Sequence, residues 1–120
     1  VADLKTSDTG GLEVEMAAKA GADVYHCGLI GDDGQMFIDA CAEYGVNSDY
    51  IRKIDEKTGH TVIQVDKNAQ NCILLYGGAN QCLTAEFVDE VLSHFEKGDI
   101  LLLQNEVNML PYSIDKAYEK

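Results

Sequence analysis

Gln104-Asn105-Glu106 follows directly on the apolar run Ile100-Leu101-Leu102-Leu103. Two side-chain amides and a carboxylate there could donate to and accept from the hydroxyls of a polyhydroxylated ligand. A loop acid capping the next helix is the plainer use of Glu106, and position alone leaves both open. Gly28-x-x-Gly31-Asp32-Asp33 offers a glycine-rich turn ending in acids, without a neighbouring Lys or Arg to meet a phosphate. The sequence has no Gly-x-x-x-x-Gly-Lys-[Ser/Thr] loop. Asp32 and Asp33 therefore read as turn formers and a helix N-cap, and Gly77-Gly78-Ala79-Asn80 reads as a positive-φ corner after a strand. His26, His60 and His94 stand far apart, and Cys27, Cys41, Cys72 and Cys82 form no Cys-x-x-Cys. No metal site, Ser-His-Asp set or Cys-His pair follows from such spacing. Apolar neighbours make the thiols reduced and buried by expectation, as in a cytosolic protein.

Regular elements have to position these groups. The polar, Gly-rich start through Gly10-Gly11 predicts a loop, followed by a helix over Leu12 to Ala20 with Met16, Ala17 and Ala20 inward and Gly21 as its stop. Asp23 to Gly28 predicts a strand. Met36, Phe37, Ala40, Cys41 and Tyr44 form a helical stripe ended by Gly45. Thr61–Val65 and Cys72–Tyr76 are β-rich runs joined by a polar connector, which predicts an antiparallel hairpin. Neither run alternates cleanly, so both faces are expected to be partly covered, by a ligand or by another chain. Thr84 reads as an N-cap for a helix carrying Phe87, Val88, Val91, Leu92 and Phe95 and closed by Lys97-Gly98. Asp99 to Gln104 predicts a buried parallel strand, and Pro111 opens a last helix through Ala117 and Tyr118. A helix closed by Gly, then Asp, then an apolar strand occurs at Ala20–Val24 and again at Lys97–Ile100. Such α-to-β repeats predict an α/β fold with a mostly parallel sheet.

Composition narrows the partners. The chain has 120 residues, 46% hydrophobic and 25% charged, which suits one domain over 1–120 with a real core. Its net charge of −12 argues against nucleic acid as a ligand. No apolar run approaches the roughly 18 residues of a membrane helix. Val1-Ala2-Asp3-Leu4-Lys5 lacks a charged-then-apolar signal pattern, so a cytoplasmic location is expected.

Taken together, several segments resemble the ribokinase-like (PfkB) carbohydrate kinases, closest to the ribokinase branch. They are Ala17–Val24 leading to Gly28-Leu29-Ile30-Gly31-Asp32-Asp33, then Glu43-Tyr44-Gly45-Val46 and Thr58-Gly59-His60-Thr61-Val62-Ile63. Asn71-Cys72-Ile73-Leu74-Leu75, Gly78-Ala79-Asn80 with Leu83-Thr84, and Asp99 through Glu106 continue the order. The resemblance covers about residues 10–120. It implies transfer of the γ-phosphate of ATP, with Mg²⁺, to a sugar hydroxyl, and a helix-flanked sheet with a small β lid at 61–76. It further implies that Thr61, Ile63 and Leu75 approach the sugar from the lid, that Glu106 reaches the sugar pocket, and that Gly10-Gly11 is the di-glycine hinge.

The departures shape the expected function. The family's amino-terminal strand has no counterpart here, and its Lys-Gly-x-Asn is replaced by Leu12-Glu13-Val14-Glu15. The Gly-x-Gly-Asp that carries the base and anion hole is also missing, and Gly31-Asp32 belongs to the sugar-side half. The resemblance therefore implies an incomplete sugar-side unit without catalytic, ATP-binding or metal residues, inactive by itself and partnered by the missing carboxyl-terminal half. Homodimer pairing through the lid strands is a further implied partner. The alternative is a non-catalytic sugar-binding or dimerisation module.

Overall fold

A computed structural model describes the chain from Thr9 to Lys120, with side chains from Val14 onward. Helix α1 spans Thr9–Lys19, so it takes in Gly10 and Gly11, which the sequence assigns to a loop; the rest of that expected loop, residues 1–8, lies outside the described residues. Gly21 ends the helix at φ +89°, with the Ala22 N–H donating to the Ala17 carbonyl at 3.1 Å. The inward residues are Val14 and Ala18, one turn apart; Met16 and Ala20, expected inward, are exposed.

Strand β1 (Tyr25–Ile30) leads through a 3₁₀ turn (Asp32–Gly34) to helix α2 (Gln35–Tyr44) and then strand β2 (Asn47–Lys53). The strands pair in parallel, with Cys27 opposite Tyr50, Gly28 opposite Ile51 and Leu29 opposite Arg52. Alternation sends Ile51 toward α2 and Leu29 and Tyr50 toward the opposite layer. On the first face Ala40, Cys41 and Val46 form a core with Val14, Ala18, Val24, Tyr44 and Ile51 around it. On the second, Leu29, Ala79, Phe87 and Val91 form another, flanked by Tyr50, Ile54, Leu83 and Phe95. The parallel sheet between two helical layers is the α/β arrangement expected. Strand β2 escapes sequence reading because its start, Asn47-Ser48-Asp49, is polar and poor in strand formers, and the Asp49 N–H donates to the Asn47 side chain at 2.8 Å.

After the hairpin of β3 (His60–Val65) and β4 (Asn71–Tyr76), a second 3₁₀ turn (Gly78–Gln81) leads to α3 (Ala85–Ser93). The Thr84 side chain accepts from the Phe87 N–H at 3.2 Å, the cap read from sequence. Phe87, Val88, Val91 and Leu92 are buried, whereas the helix stops at Ser93 rather than near Lys97. Helix α4 (Leu110–Tyr118) opens on Pro111 and packs beside α3.

Three expectations need correction. Residues 100–104 are not a buried strand: Ile100 is 94% exposed, and only an isolated Lys97–Asp99 bridge precedes the run. The apolar run records a need for neighbours on both faces, and among the described residues no strand lies beside it. Cys41 alone is buried; Cys27, Cys72 and Cys82 are exposed, and all four are free thiols. Met36, placed on the inward stripe of α2, is exposed. Among the described residues no helix is long and apolar enough to cross a membrane.

Candidate functional site

The hairpin is a two-stranded antiparallel ribbon in register from His60–Tyr76 to Val65–Asn71. Asp66 sets its turn, its side chain accepting from the N–H groups of Asn68 at 2.8 Å and Gln70 at 2.9 Å. Directly opposed residues share a face, so Thr61, Ile63 and Val65 lie with Leu75 and Ile73. Three expected ligand-facing residues, Thr61, Ile63 and Leu75, therefore stand together. Val62 and Leu74 lie on the other face, with His60 stacked on Tyr76 at 5.1 Å between ring centroids. Ile63 is 58% and Leu75 63% exposed, and both strands are exposed throughout. A ribbon this apolar on both faces is built to be covered.

With neither face packed, its stems hold it. Thr58 is buried just before β3; its hydroxyl donates to Asp33 Oδ1 at 2.7 Å and accepts from the Gly31 N–H at 2.9 Å. Its own N–H donates to the same Asp33 oxygen at 3.0 Å. Asp33 was expected to cap α2; instead no side chain caps that helix, and the carboxylate reaches 25 residues along the chain. The Thr58 backbone bond, then its hydroxyl bond, holds the Asp33 carboxyl below the usual carboxylate range. Glu56 is also lowered, by the Lys57 N–H first and then the Tyr76 hydroxyl, which donates to Glu56 at 2.9 Å. The Ala79 N–H, on the other stem, donates to the Lys57 carbonyl at 2.8 Å.

Glu106 is exposed in a turn docked on that second stem. Its backbone carbonyl accepts from Gln81 Nε2 at 2.9 Å. Asn108 completes the clamp, its side chain donating to the Leu83 carbonyl at 3.0 Å and its N–H to the Asn80 carbonyl at 3.3 Å. The Glu106 turn is thus tied through its backbone to Gln81, on the stem by which β4 leaves the ribbon. Gly10 and Gly11 fall in the first turn of α1. Sequence reasoning missed Thr58, Gln81 and Asn108. The Thr58-Gly59 pair before an apolar strand was visible as a pattern, but the Gln81–Glu106 bond leaves no sequence signal.

A cleft near the 3₁₀ turn is lined by Asp32, Ile54, Asp55, Glu56 and Lys57. Three carboxylates against one ammonium repel a triphosphate, so this cleft does not fit ATP. Among the described residues no group of three or more His, Cys, Asp or Glu is placed to hold a metal ion.

Comparison with known proteins matches residues 13–120 to the model of the pfkB family carbohydrate kinases. The chain belongs to that family. Ribokinase of Arabidopsis thaliana is 31% identical over 118 residues, covering 92% of this chain and 31% of the relative. Among solved structures, ribokinase from Thermotoga maritima superposes with a TM-score of 0.70 at 28% identity, over 92% of this chain and 35% of that one. Arabidopsis ribokinase complexed with ribose and ATP gives 0.64 at 28% identity, over 88% of this chain and 36% of that one. This pfkB-family chain thus spans about a third of the length of these relatives. The matched residues include Thr61, Ile63, Leu75 and Glu106 and exclude Gly10 and Gly11.

Proposed function

We propose that this chain is the sugar-holding portion of a ribokinase-like kinase that transfers the γ-phosphoryl group of ATP, with Mg²⁺, to a sugar hydroxyl. The observation that carries the proposal is the exposed apolar ribbon face bearing Thr61, Ile63 and Leu75, with its stem clamped to the Glu106 turn. In this reading the Glu106 carboxylate accepts from sugar hydroxyls and the Thr61 hydroxyl adds a directional contact. Ile63 and Leu75 cover the apolar edge of the ring and exclude water. The Arabidopsis ribokinase complex with ribose and ATP makes a pentose the substrate to try first.

Phosphoryl transfer needs a base at the acceptor hydroxyl and fixed positive or N–H groups at the transferred phosphoryl. We assign neither to this chain, so the polypeptide alone is inactive. Three exposed thiols, Cys27, Cys72 and Cys82, support a reducing, cytoplasmic setting. The test pairs ATP-dependent ribose phosphorylation with ribose binding. No turnover is expected from these 120 residues, and binding should weaken about 10- to 100-fold in Glu106→Gln, the worth of a hydrogen bond to a charged acceptor. Robust turnover would overturn the incompetence of the chain, and unchanged binding would remove Glu106 from the site.

The second ribbon face favours an additional reading. Val62 and Leu74 on that face are also more than half exposed, which suits pairing with a second copy, whether beside sugar binding or as a non-catalytic dimerisation module. Light scattering should show a dimer that Leu74→Asp dissociates; a strictly monomeric wild type would exclude it.

A further inference from the structure

We infer that Asp33 and Thr58 form a latch fixing the direction in which the hairpin leaves the sheet, which makes Thr58 a positioning residue for sugar capture. The inference rests on reading the hairpin as a sugar lid. Because neither ribbon face packs on the rest of the described chain, its orientation has to be transmitted through residues 56–59 and 77–81. Thr58 is the only one of these whose side chain and backbone both bond to the β1–α2 corner. It is 5% exposed, and its hydroxyl and N–H converge on Asp33 Oδ1 while the hydroxyl also receives the Gly31 N–H.

The surroundings admit no substitute geometry. A Cβ on Gly31 would stand 2.1 Å from the Glu56 carbonyl oxygen, and one on Gly34 would stand 2.7 Å from the Thr58 hydroxyl. Between the two stems, a Cβ on Gly59 would meet Asn80 Nδ2 at 2.5 Å and one on Gly78 the Lys57 carbonyl at 2.3 Å. Glycine at Gly31 and Gly34 lets the corner close on Glu56 and Thr58, and glycine at Gly59 and Gly78 lets the two stems close on each other, so the latch sits in a joint with little slack. Asn80, buried with 6% exposure, leaves its Oδ1 without a partner among the described residues, while the backbone of the exit stem is held by the Ala79 N–H on the Lys57 carbonyl and the Asn108 N–H on the Asn80 carbonyl. Thr58 is thus the side chain that ties the first stem directly to the β1–α2 corner. Losing the hydroxyl should leave the β3–β4 ladder and the Asp66 turn intact while freeing the ribbon to swing.

The experiment compares wild type, Thr58→Val and Thr58→Ser by ¹⁵N relaxation and by ribose titration. Thr58→Val should raise the nanosecond mobility of residues 60–76 without altering α3, speed exchange of the Gly31 amide, and weaken ribose binding about 5- to 10-fold. Thr58→Ser should restore all three, because it returns the hydroxyl. Hairpin mobility unchanged in Thr58→Val overturns the latch, even where ribose binds. A loosened hairpin in a chain whose wild type binds no ribose upholds the latch and overturns the sugar reading instead. Should Thr58→Val fail to fold, Asp33→Asn removes the acceptor charge at nearly constant size and is read in the same way.

Discussion

Lowering the pH from 7 to 5 should weaken this fold through a single imidazole, His26. The ring lies on β1 in an apolar groove with Gly28, Leu29, Ile30, Phe37 and Ile51. Burial there pushes its pKa from 6.5 down to about 4. The unfolded chain, with the ordinary value, therefore takes up a proton first. The stabilisation is present above pH 6.5 and is lost as the pH falls toward 4. Between pH 7 and 5 the two values give a loss of about 1.8 kcal/mol, and nearer 1 because the ring keeps an edge in water. Asp33 and Glu56 do not contribute in this window. Their folded values are lowered, so their stabilisation is present above the ordinary carboxylate range, near 4, and fades only as the pH falls below it. Urea unfolding at the two pH values measures the loss, and His26→Phe should flatten it to within about 0.5 kcal/mol. An equal loss in His26→Phe, or none in the wild type, would refute the assignment to buried His26.

Two further substitutions probe the elements that carry the site. Thr84→Ala removes the acceptor of the Phe87 N–H and should cost about 1 kcal/mol in urea unfolding, with the hairpin's exchange pattern unchanged. Gly78→Ala places a Cβ on a residue at φ +48° and 2.3 Å from the Lys57 carbonyl, and should destabilise by more than about 1 kcal/mol. Gly28→Ala, with open space around the same atom, should change stability far less.

The parts legible in the sequence are those where one residue dictates local geometry. Gly45 sits at φ +72° and closes α2, Thr84 caps α3, and the β-rich runs became strands within one residue of their expected starts. What escaped depends on partners distant in the chain. Asp33 has the side chain of an N-cap, yet Thr58 supplies two donors where the helix would supply one. Strand β2 is polar at its start and becomes a strand because β1 lies beside it. The Ile100 run is apolar enough for a central strand and still stands exposed, because composition does not say whether the neighbour is present. Of the expected site residues, Thr61, Ile63 and Leu75 share a face by strand parity, which a sequence reveals. The docking of Glu106 on Gln81 depends on a turn whose partner lies 25 residues away.

A ribose titration followed at individual backbone amides bears most directly on whether this chain holds a sugar. Shifts should gather at Thr61, Ile63, Leu75 and Glu106 and leave α4 untouched. Shifts confined to the Val62 and Leu74 face, or none at millimolar ribose, would contradict a saccharide site between the ribbon and the Glu106 turn.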